Sequence, residues 1–448
     1  MTHDEVRKRA KDEGAEFFLA QFVEMHGKPN AKLMPASAID ILLEDGAGFA
    51  GFAAGPIGQG PASPDIAAIP DTASYTRVPW QPDLVRFACD VTVDGDPWPY
   101  CPRTILRNAL ARAEKLGFRM KIGLEAEFFL VGKDERGELV LDDPLDTLEQ
   151  PCYDAKALYR NFEFLTTLSR YCNELGYGNY ANDHEDANGQ FESNFEYDDA
   201  VTSCDRAIFF RYMVHVMAQQ RGKLATFMPK PFGHLTGNGC HFHISLWDPS
   251  GKKNLFESKA DEFGLSKLAY HFIAGVIEHA SAQSAIVAPT VNSYKRIGVG
   301  APTSGATWSP AYAAWGGNNR TQMIRVPGGG RIEHRSIDGS ANPYLAATAV
   351  LAAGLDGVAR ELATPPMNTV NLYTASPAEV RRKRIKSLPT TLADAVEALR
   401  KDAVLRDWFG HTGSEHYTDY FANVKEAEFR EWHSHVTKWE IDRYLTLF

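Results

Sequence analysis

Apolar and polar positions follow two rhythms along the chain, and the change comes near residue 100. The first stretch predicts a short helix over 5–11 and an apolar strand over Phe17–Val23. Residues 46–70 then become rich in Gly, Ala and Pro, which predicts a long loop. Loops of that length in compact domains are uncommon and tend to be functional. Short strands over 74–80 and 84–93, with a turn at Asp94-Gly95-Asp96-Pro97, complete a small α/β domain spanning 1–102. From Thr104 the period lengthens to that of amphipathic helices. They are expected over 104–116, ended by Gly117, and near 155–175, 202–219, 262–280, 342–362 and 390–401. Strands alternate with them through a second domain, 103–448.

Three otherwise apolar strands break the core pattern in the same way. Gly123-Leu124-Glu125-Ala126-Glu127-Phe128-Phe129 carries two acids two residues apart, so both carboxylates share one face. Two like charges there repel unless a cation lies between them. A solvated edge strand would want more polar neighbours than Phe128-Phe129-Leu130. Cys240-His241-Phe242-His243-Ile244-Ser245-Leu246 puts His241, His243 and Ser245 on one face, an arrangement that alone is more often structural. Arg331-Ile332-Glu333-His334-Arg335 does the same with Arg331, Glu333 and Arg335. Asp183-His184-Glu185-Asp186-Ala187-Asn188-Gly189-Gln190-Phe191-Glu192 reads as too acidic and too turn-rich to be core. Glu125, Glu127, Glu185, Glu192, Glu333 and His241 together make a hard-cation set, suited to Mg²⁺ or Mn²⁺ rather than structural Zn²⁺.

Cationic residues follow in Asn292-Ser293-Tyr294-Lys295-Arg296, Asn318-Asn319-Arg320 and Arg325. Arginines beside a multi-carboxylate metal site point to phosphoryl transfer, in which metal and guanidinium share the charge. No G-x-x-x-x-G-K-[ST] is present, so the nucleotide site is not a P-loop. A hydrolase or non-haem iron site built on His241 and His243 would leave these arginines unexplained.

Composition narrows the class. The 448 residues are 44% hydrophobic and 23% charged, ordinary for a globular protein, and the net charge of -10 argues against nucleic acid as a partner. The densest basic run, Arg381-Arg382-Lys383-Arg384, reads as a solvated helix face. Six scattered cysteines without a C-x-x-C pair fit reduced thiols. The N-terminal residues lack a signal-peptide profile, and no apolar run approaches the ~18 residues of a membrane span. No membrane association and a cytoplasmic location are expected.

These motifs, together with Ala341-Asn342-Pro343-Tyr344, resemble the glutamine synthetases along nearly the whole chain. The resemblance implies an α+β protein. A small β-grasp-like N-terminal domain would precede a catalytic domain whose curved antiparallel sheet forms a funnel ringed by helices. It further implies a homododecamer of two stacked hexameric rings, each site completed by a neighbour's N-terminal domain. ATP would be the co-substrate. By motif, Glu127, Glu185 and Glu192 resemble ligands of a first metal, and Glu125, His241 and Glu333 those of a second. Gly237, Arg296 and Arg335 resemble glutamate contacts, and Arg320 the residue spanning glutamate and the γ-phosphate. His243, Ser245, Arg325 and Arg331 resemble nucleotide contacts, with Tyr197 beside adenine. Tyr373 matches a position adenylylated in some bacterial members, or is an ordinary surface tyrosine.

Two departures fall on the amine side. Where the family has Phe-Asp-Gly-Ser-Ser, this chain reads Phe49-Ala50-Gly51-Phe52-Ala53, so Ala50 replaces an acid that helps hold ammonium. Residues 297–319, where the family has a flap acid, contain no Asp or Glu. Phe49, Phe52, Trp308 and Trp315 are available to line a drier pocket for an alkylammonium. The subset of the family that makes γ-glutamylmethylamide from glutamate and methylamine resembles this chain in 183–192 and in Gly305-Ala306-Thr307-Trp308. With both usual acids gone, Asp183 is the candidate base, or else a turn residue.

Overall fold

The apolar run Phe17–Val23 is the second strand of a seven-stranded sheet. It pairs antiparallel with Pro29–Pro35 and parallel with Gln81–Val93, which also carries Ile66–Pro70 and, beyond it, Ala47–Phe49. The computed structural model describes residues 1–297 and 309–448. The helix His3–Asp12, closed by a Thr2–Glu5 capping box, buries Val6 and Ala10. They join Phe18, Phe22, Leu42, Phe87 and Val91 in a core of their own. The strand Pro29–Pro35 was not legible because it begins and ends on proline and is largely exposed, leaving no apolar alternation.

The expected 46–70 loop is partly regular: strand Ala47–Phe49, short helix Gly51–Ala54 and strand Ile66–Pro70. Small side chains permit this, since Ala47 and Ala68 are buried partners in register. Gly46 has a left-handed backbone (φ 77°), where a Cβ would meet Ile69 Cδ1 at 2.6 Å and the Ala68 carbonyl at 2.8 Å.

The second sheet has ten strands, and the fifteen-residue strand Arg119–Lys133 is its spine. The order is Asn179–His184, Gln190–Phe195, Arg119–Lys133, Cys240–Trp247, Ile332–His334, Ile324–Arg325, Trp315–Gly316. All pairs are antiparallel except the last. Helices Pro102–Lys115, Ala200–Gln219 and Lys267–Glu278 surround the almost wholly buried Pro343–Ala359. Several helix boundaries differ from expectation for local reasons. The 155–175 helix is two, Ala155–Arg160 and Phe162–Glu174, broken where Asn161 leaves helical geometry (φ -103°, ψ 16°). The 262–280 helix starts at Lys267, where the Ser266 hydroxyl caps Ala269 N–H. Tyr417–Ser434 was not anticipated.

Arg103, at the start of the Pro102–Lys115 helix, ties the first sheet to the helix Ala200–Gln219. It donates to Asp71 and Asp90 on one side and bidentately to Asp205 on the other. Burial works against its charge, but Asp205 and Asp90 more than offset it and raise the pKa well above the ordinary value. All six cysteines are free. Residues 381–384 are exposed, but the helix Pro377–Arg382 ends within the basic run and Arg384 has a left-handed backbone, so only its first half is a helix face. Among the described residues no helix is long and apolar enough to cross a membrane.

Candidate active site

Strand register turns sequence patterns on separate strands into one constellation. Asp183, Glu192 and Glu127 lie directly opposite one another across three strands, and Glu125 faces His241. His243, Glu333 and Arg325 form the next row. Two groups result, Glu125–His241–Glu333 and Glu127–Glu192–His241, in each of which the donor atoms lie within 4.8 Å of one another. Glu185 belongs to neither tight group.

The donor geometry fits a divalent cation. Glu127 Oε2 accepts from the Gly239 N–H (2.7 Å) and from Gln190 Nε2 (3.0 Å), which leaves Oε1 3.9 Å from His241 Nε2. That imidazole nitrogen is buried and has no hydrogen-bond partner among the described residues. Gly239 keeps the space open, since a Cβ there would meet His241 Nε2 at 2.7 Å and Glu127 Oε1 at 2.8 Å. Oxygen-rich donors with one imidazole suit Mg²⁺ or Mn²⁺. Gln190 stands in the 183–192 run without a role and Gly239 is not singled out from sequence; only the fold shows that they aim Glu127.

The carboxylates also need such a charge. Burial, followed by the Glu127 charge, pushes Glu185 up to about 8. Burial, then Glu185 and Glu125, raises Glu192 well above the usual range. Asp183 is raised too, by burial and by Glu125. Glu125 goes the other way: burial opposes its charge, but hydrogen bonds with His241 and His243 hold it well below the carboxylate range. Ionising all of them together calls for a compensating cation.

Residues 183–192, expected to lie outside the core, are largely buried. His184 is fully enclosed and bonds Asp146 Oδ2 at 2.7 Å, which also accepts from the Gly189 N–H (2.6 Å). Thr236 donates to Asp186 at 2.8 Å. Polar partners from elsewhere in the chain satisfy this hairpin, and a local reading cannot see them. Tyr153, beside the hairpin, donates its N–H to the His184 carbonyl and holds a left-handed backbone (φ 64°) with its ring exposed.

The arginines close the other side. Glu333, fully buried, pairs with Arg335 and with Arg325 Nη1 (2.7 Å), whose Nε reaches Asn318. Arg296 is buried against the Ser336 and Arg335 carbonyls. Arg320 is exposed, and the Tyr373 hydroxyl donates to its carbonyl at 3.3 Å. Gly237 is buried with its carbonyl accepting from Gln190, and a Cβ there would strike the Pro229 carbonyl.

Tyr197, His243, Ser245 and Arg331 converge with Glu125 on a cavity of about 400 Å³. His243 bridges Glu125 Oε1 (2.8 Å) and Arg331 Nε (3.2 Å). Tyr197 and Trp247 stack at 6.2 Å, with Lys121 Nζ over both rings. An aromatic wall with a cation beside it suits a nucleobase and its phosphates. Trp247, Lys121 and Tyr180 were not singled out from sequence, because their part depends on pairing between distant strands.

The amine-side residues fare differently. Phe49 packs edge-on against Phe22, Ala50 and Phe52 are exposed, and none of the three lines this cavity. Trp315 is not a pocket wall. It is 6% exposed, packs on Phe263 and Tyr270, and donates Nε1–H to the Pro365 carbonyl. Trp308 and the 305–308 motif lie outside the described residues.

Residues 99–444 match the glutamine synthetase catalytic domain. The chain belongs to the glutamine synthetase family. Among similar curated proteins is a glutamate–methylamine ligase of Methyloversatilis universalis, 45% identical over the full length of both chains. A glutamine synthetase of Rhizobium leguminosarum is 44% identical, covering 98% of each. Two solved GmaS structures, one an ADP complex and one without ligand, superpose with TM-scores of 0.91 and 0.90 at 45% and 44% identity, each covering 98% of this chain and 99% of the other.

Proposed function

We propose that this chain joins methylamine to the γ-carboxylate of L-glutamate in an ATP-dependent ligation, giving γ-glutamylmethylamide, ADP and phosphate. A γ-carboxylate oxygen attacks the γ-phosphorus of ATP, the bond to the bridging oxygen breaks, and ADP leaves. The amine nitrogen then adds to the acyl carbon of the γ-glutamyl phosphate, and the tetrahedral adduct collapses with loss of phosphate. Tyr197, His243, Ser245 and Arg331 hold the nucleotide; Arg325 and Arg320 face the transferred phosphoryl group. Gly237, Arg296 and Arg335 hold glutamate. Mg²⁺ or Mn²⁺ bound by Glu127, Glu185 and Glu192 and by Glu125, His241 and Glu333 would share the negative charge of phosphate and carboxylate. The protein's contribution is positioning and charge.

The observation that carries methylamine over ammonia is the loss of acids on the amine side alone. Ala50 and the acid-free 297–319 stand beside an intact set of metal, nucleotide and glutamate residues. The relative named a glutamate–methylamine ligase matches end to end, yet a relative named a glutamine synthetase is almost as similar, so identity does not separate the amines and local chemistry must. Ammonia use is the alternative reading. A methylammonium with a pKa near that of lysine, about 10.4, needs roughly 4.6 kcal/mol to lose its proton at pH 7. Asp183 accepts that proton in this reading; its position opposite Glu192 on the neighbouring strand supports the assignment.

The family's architecture completes this reading. Residues 1–102 and 103–448 are the two domains, twelve copies form two stacked hexameric rings, and the segment carrying Phe49, Ala50 and Phe52 reaches a neighbour's funnel. The enzyme works in the cytoplasm.

The experiment is mass spectrometry of the product made from glutamate, ATP, Mg²⁺ and methylamine. One γ-glutamylmethylamide should form per phosphate released, and Ala50→Asp should raise the share of ammonia used, because the new carboxylate accepts from ammonium N–H and desolvates poorly beside a methyl group. Phosphate release without the amide, or an Ala50→Asp variant unchanged towards both amines, would overturn the reading.

A further inference from the structure

A second cavity, of about 450 Å³, lies away from the carboxylate funnel and shares no lining residue with the nucleotide cavity. It opens between residues 25–29, the helix Ala200–Gln219 and the helix Tyr417–Ser434. Its volume is within the ~300–1,000 Å³ typical of small-molecule pockets. The body is apolar, formed by Ile208, Phe227, Ile286, Pro289, Leu345 and Phe421. The charged side chains lining it are all basic, and no carboxylate lines it among the described residues. Two of those side chains are available. Arg211 spends Nη2 on the Ala341 carbonyl (2.9 Å) and pairs with no carboxylate among the described residues; Lys28 is exposed and pairs with none. His26 and Lys425 are already engaged by Glu24 and Glu428.

The cavity wall is also the back of the active site. Carbonyls of the wall residues Thr226 and Met228 accept from Asn238 Nδ2 (3.1 and 3.0 Å). Asn238 Oδ1 in turn accepts from Gln190 Nε2 (2.9 Å), the group that orients Glu127. On another side, Ser340 Oγ donates to Asp338 (2.6 Å), whose charge faces Arg296.

We propose that this cavity is an effector site for an amphipathic carboxylate, with an anionic head at Arg211 and Lys28 and an apolar body inside. Its occupancy changes glutamate binding through the Asn238–Gln190–Glu127 chain and the Ser340–Asp338–Arg296 contact. An anion is favoured because cations without a carboxylate partner on the wall of an apolar cavity reward opposite charge, and a guanidinium donates well to a carboxylate. Coupling requires a ligand that distinguishes two states of the wall, so it is measured and not assumed.

The test uses the assembled full-length enzyme: binding is read at saturating glutamate, which excludes the glutamate pocket, and the glutamate KM is read over a glutamate series at fixed probe. The probe is 4-phenylbutyrate and the comparator is 4-phenylbutan-1-ol, the same body without the charge. Calorimetry should show the acid binding at least about tenfold tighter than the alcohol. The Arg211→Gln/Lys28→Gln variant, which keeps a donor for the Ala341 carbonyl, should lose about tenfold in acid affinity while turnover without the probe is unchanged. The acid should shift the glutamate KM of the unmodified enzyme and leave that of the variant unmoved. Equal binding of acid and alcohol, full acid affinity in the variant, no binding up to about 10 mM, or binding that leaves the glutamate KM where it was would each overturn the proposal.

Discussion

Replacing Glu333 or Glu127 by alanine is expected to lower phosphate release by about a thousandfold or more, with either amine. Glu333 is fully buried, and its removal leaves Arg335 and Arg325 facing each other without the carboxylate that both now share. Breaking a buried ion pair costs about 3–5 kcal/mol, and each 1.4 kcal/mol withheld from the transition state is tenfold in rate. Removing Glu127 takes away a carboxylate oxygen 3.9 Å from the unpartnered His241 Nε2, leaves the Gly239 N–H without its acceptor, and leaves Gln190 Nε2 bonded only to Gly237 and Asn238. Both variants should bind Mn²⁺ more weakly in a spin-resonance titration and keep the circular dichroism of the parent. Glu333→Gln, which preserves shape and removes charge, separates the metal role from packing and should be almost as impaired. Turnover near that of the parent in a folded variant would remove the metal assignment.

Mixing two inactive variants is expected to restore activity if neighbours complete each other's sites. Phe52 is 48% exposed, Ala50 is exposed, and neither lines the cavity of its own chain. The proposed head-to-tail ring would pair the funnel of one copy with the 49–53 segment of the next. Glu333→Ala spoils the funnel and leaves that segment intact; Ala50→Trp blocks the segment and leaves the funnel intact. In evenly mixed rings, half the funnels are sound and half of those meet a sound neighbour, so about a quarter of the parental phosphate release should return. Each variant alone should show almost none. Mixtures no more active than the average of the two variants would place the amine site within one chain.

How much was legible in advance depended on how local each signal was. The Glu125/Glu127, His241/His243 and Glu333/Arg335 pairs announced themselves because a strand repeats every two residues and polar groups on an apolar face stand out. The order of those strands, which sets Glu192 against Glu127 and Glu333 against His243, was not legible; the family resemblance implied only the grouping of the ligand residues. The roles of Gln190, Gly239 and Asn238 lay beyond any local reading, because their partners sit 47 to 112 positions away in the hydrogen bonds that aim Glu127. The 183–192 hairpin misled for the same reason: its polar groups find partners far off in sequence, His184 and the Gly189 N–H at Asp146 and the Asp186 carboxylate at Thr236. Trp315 misled because a conspicuous aromatic near a site motif looks like a pocket wall, whereas its ring completes the core beside Tyr270.

The central claim concerns which amine is used, and one vessel tests it. Burying one methyl group yields only about 0.8 kcal/mol, roughly fourfold, so the missing acids must supply the rest of any larger preference. Ammonium and methylammonium at equal concentration, with saturating glutamate and ATP at one pH, compete directly. The ratio of γ-glutamylmethylamide to glutamine then reads the ratio of kcat/KM. The expected ratio is at least about ten in favour of the methylamide. A ratio of one or less would contradict the account and assign ammonia as the amine.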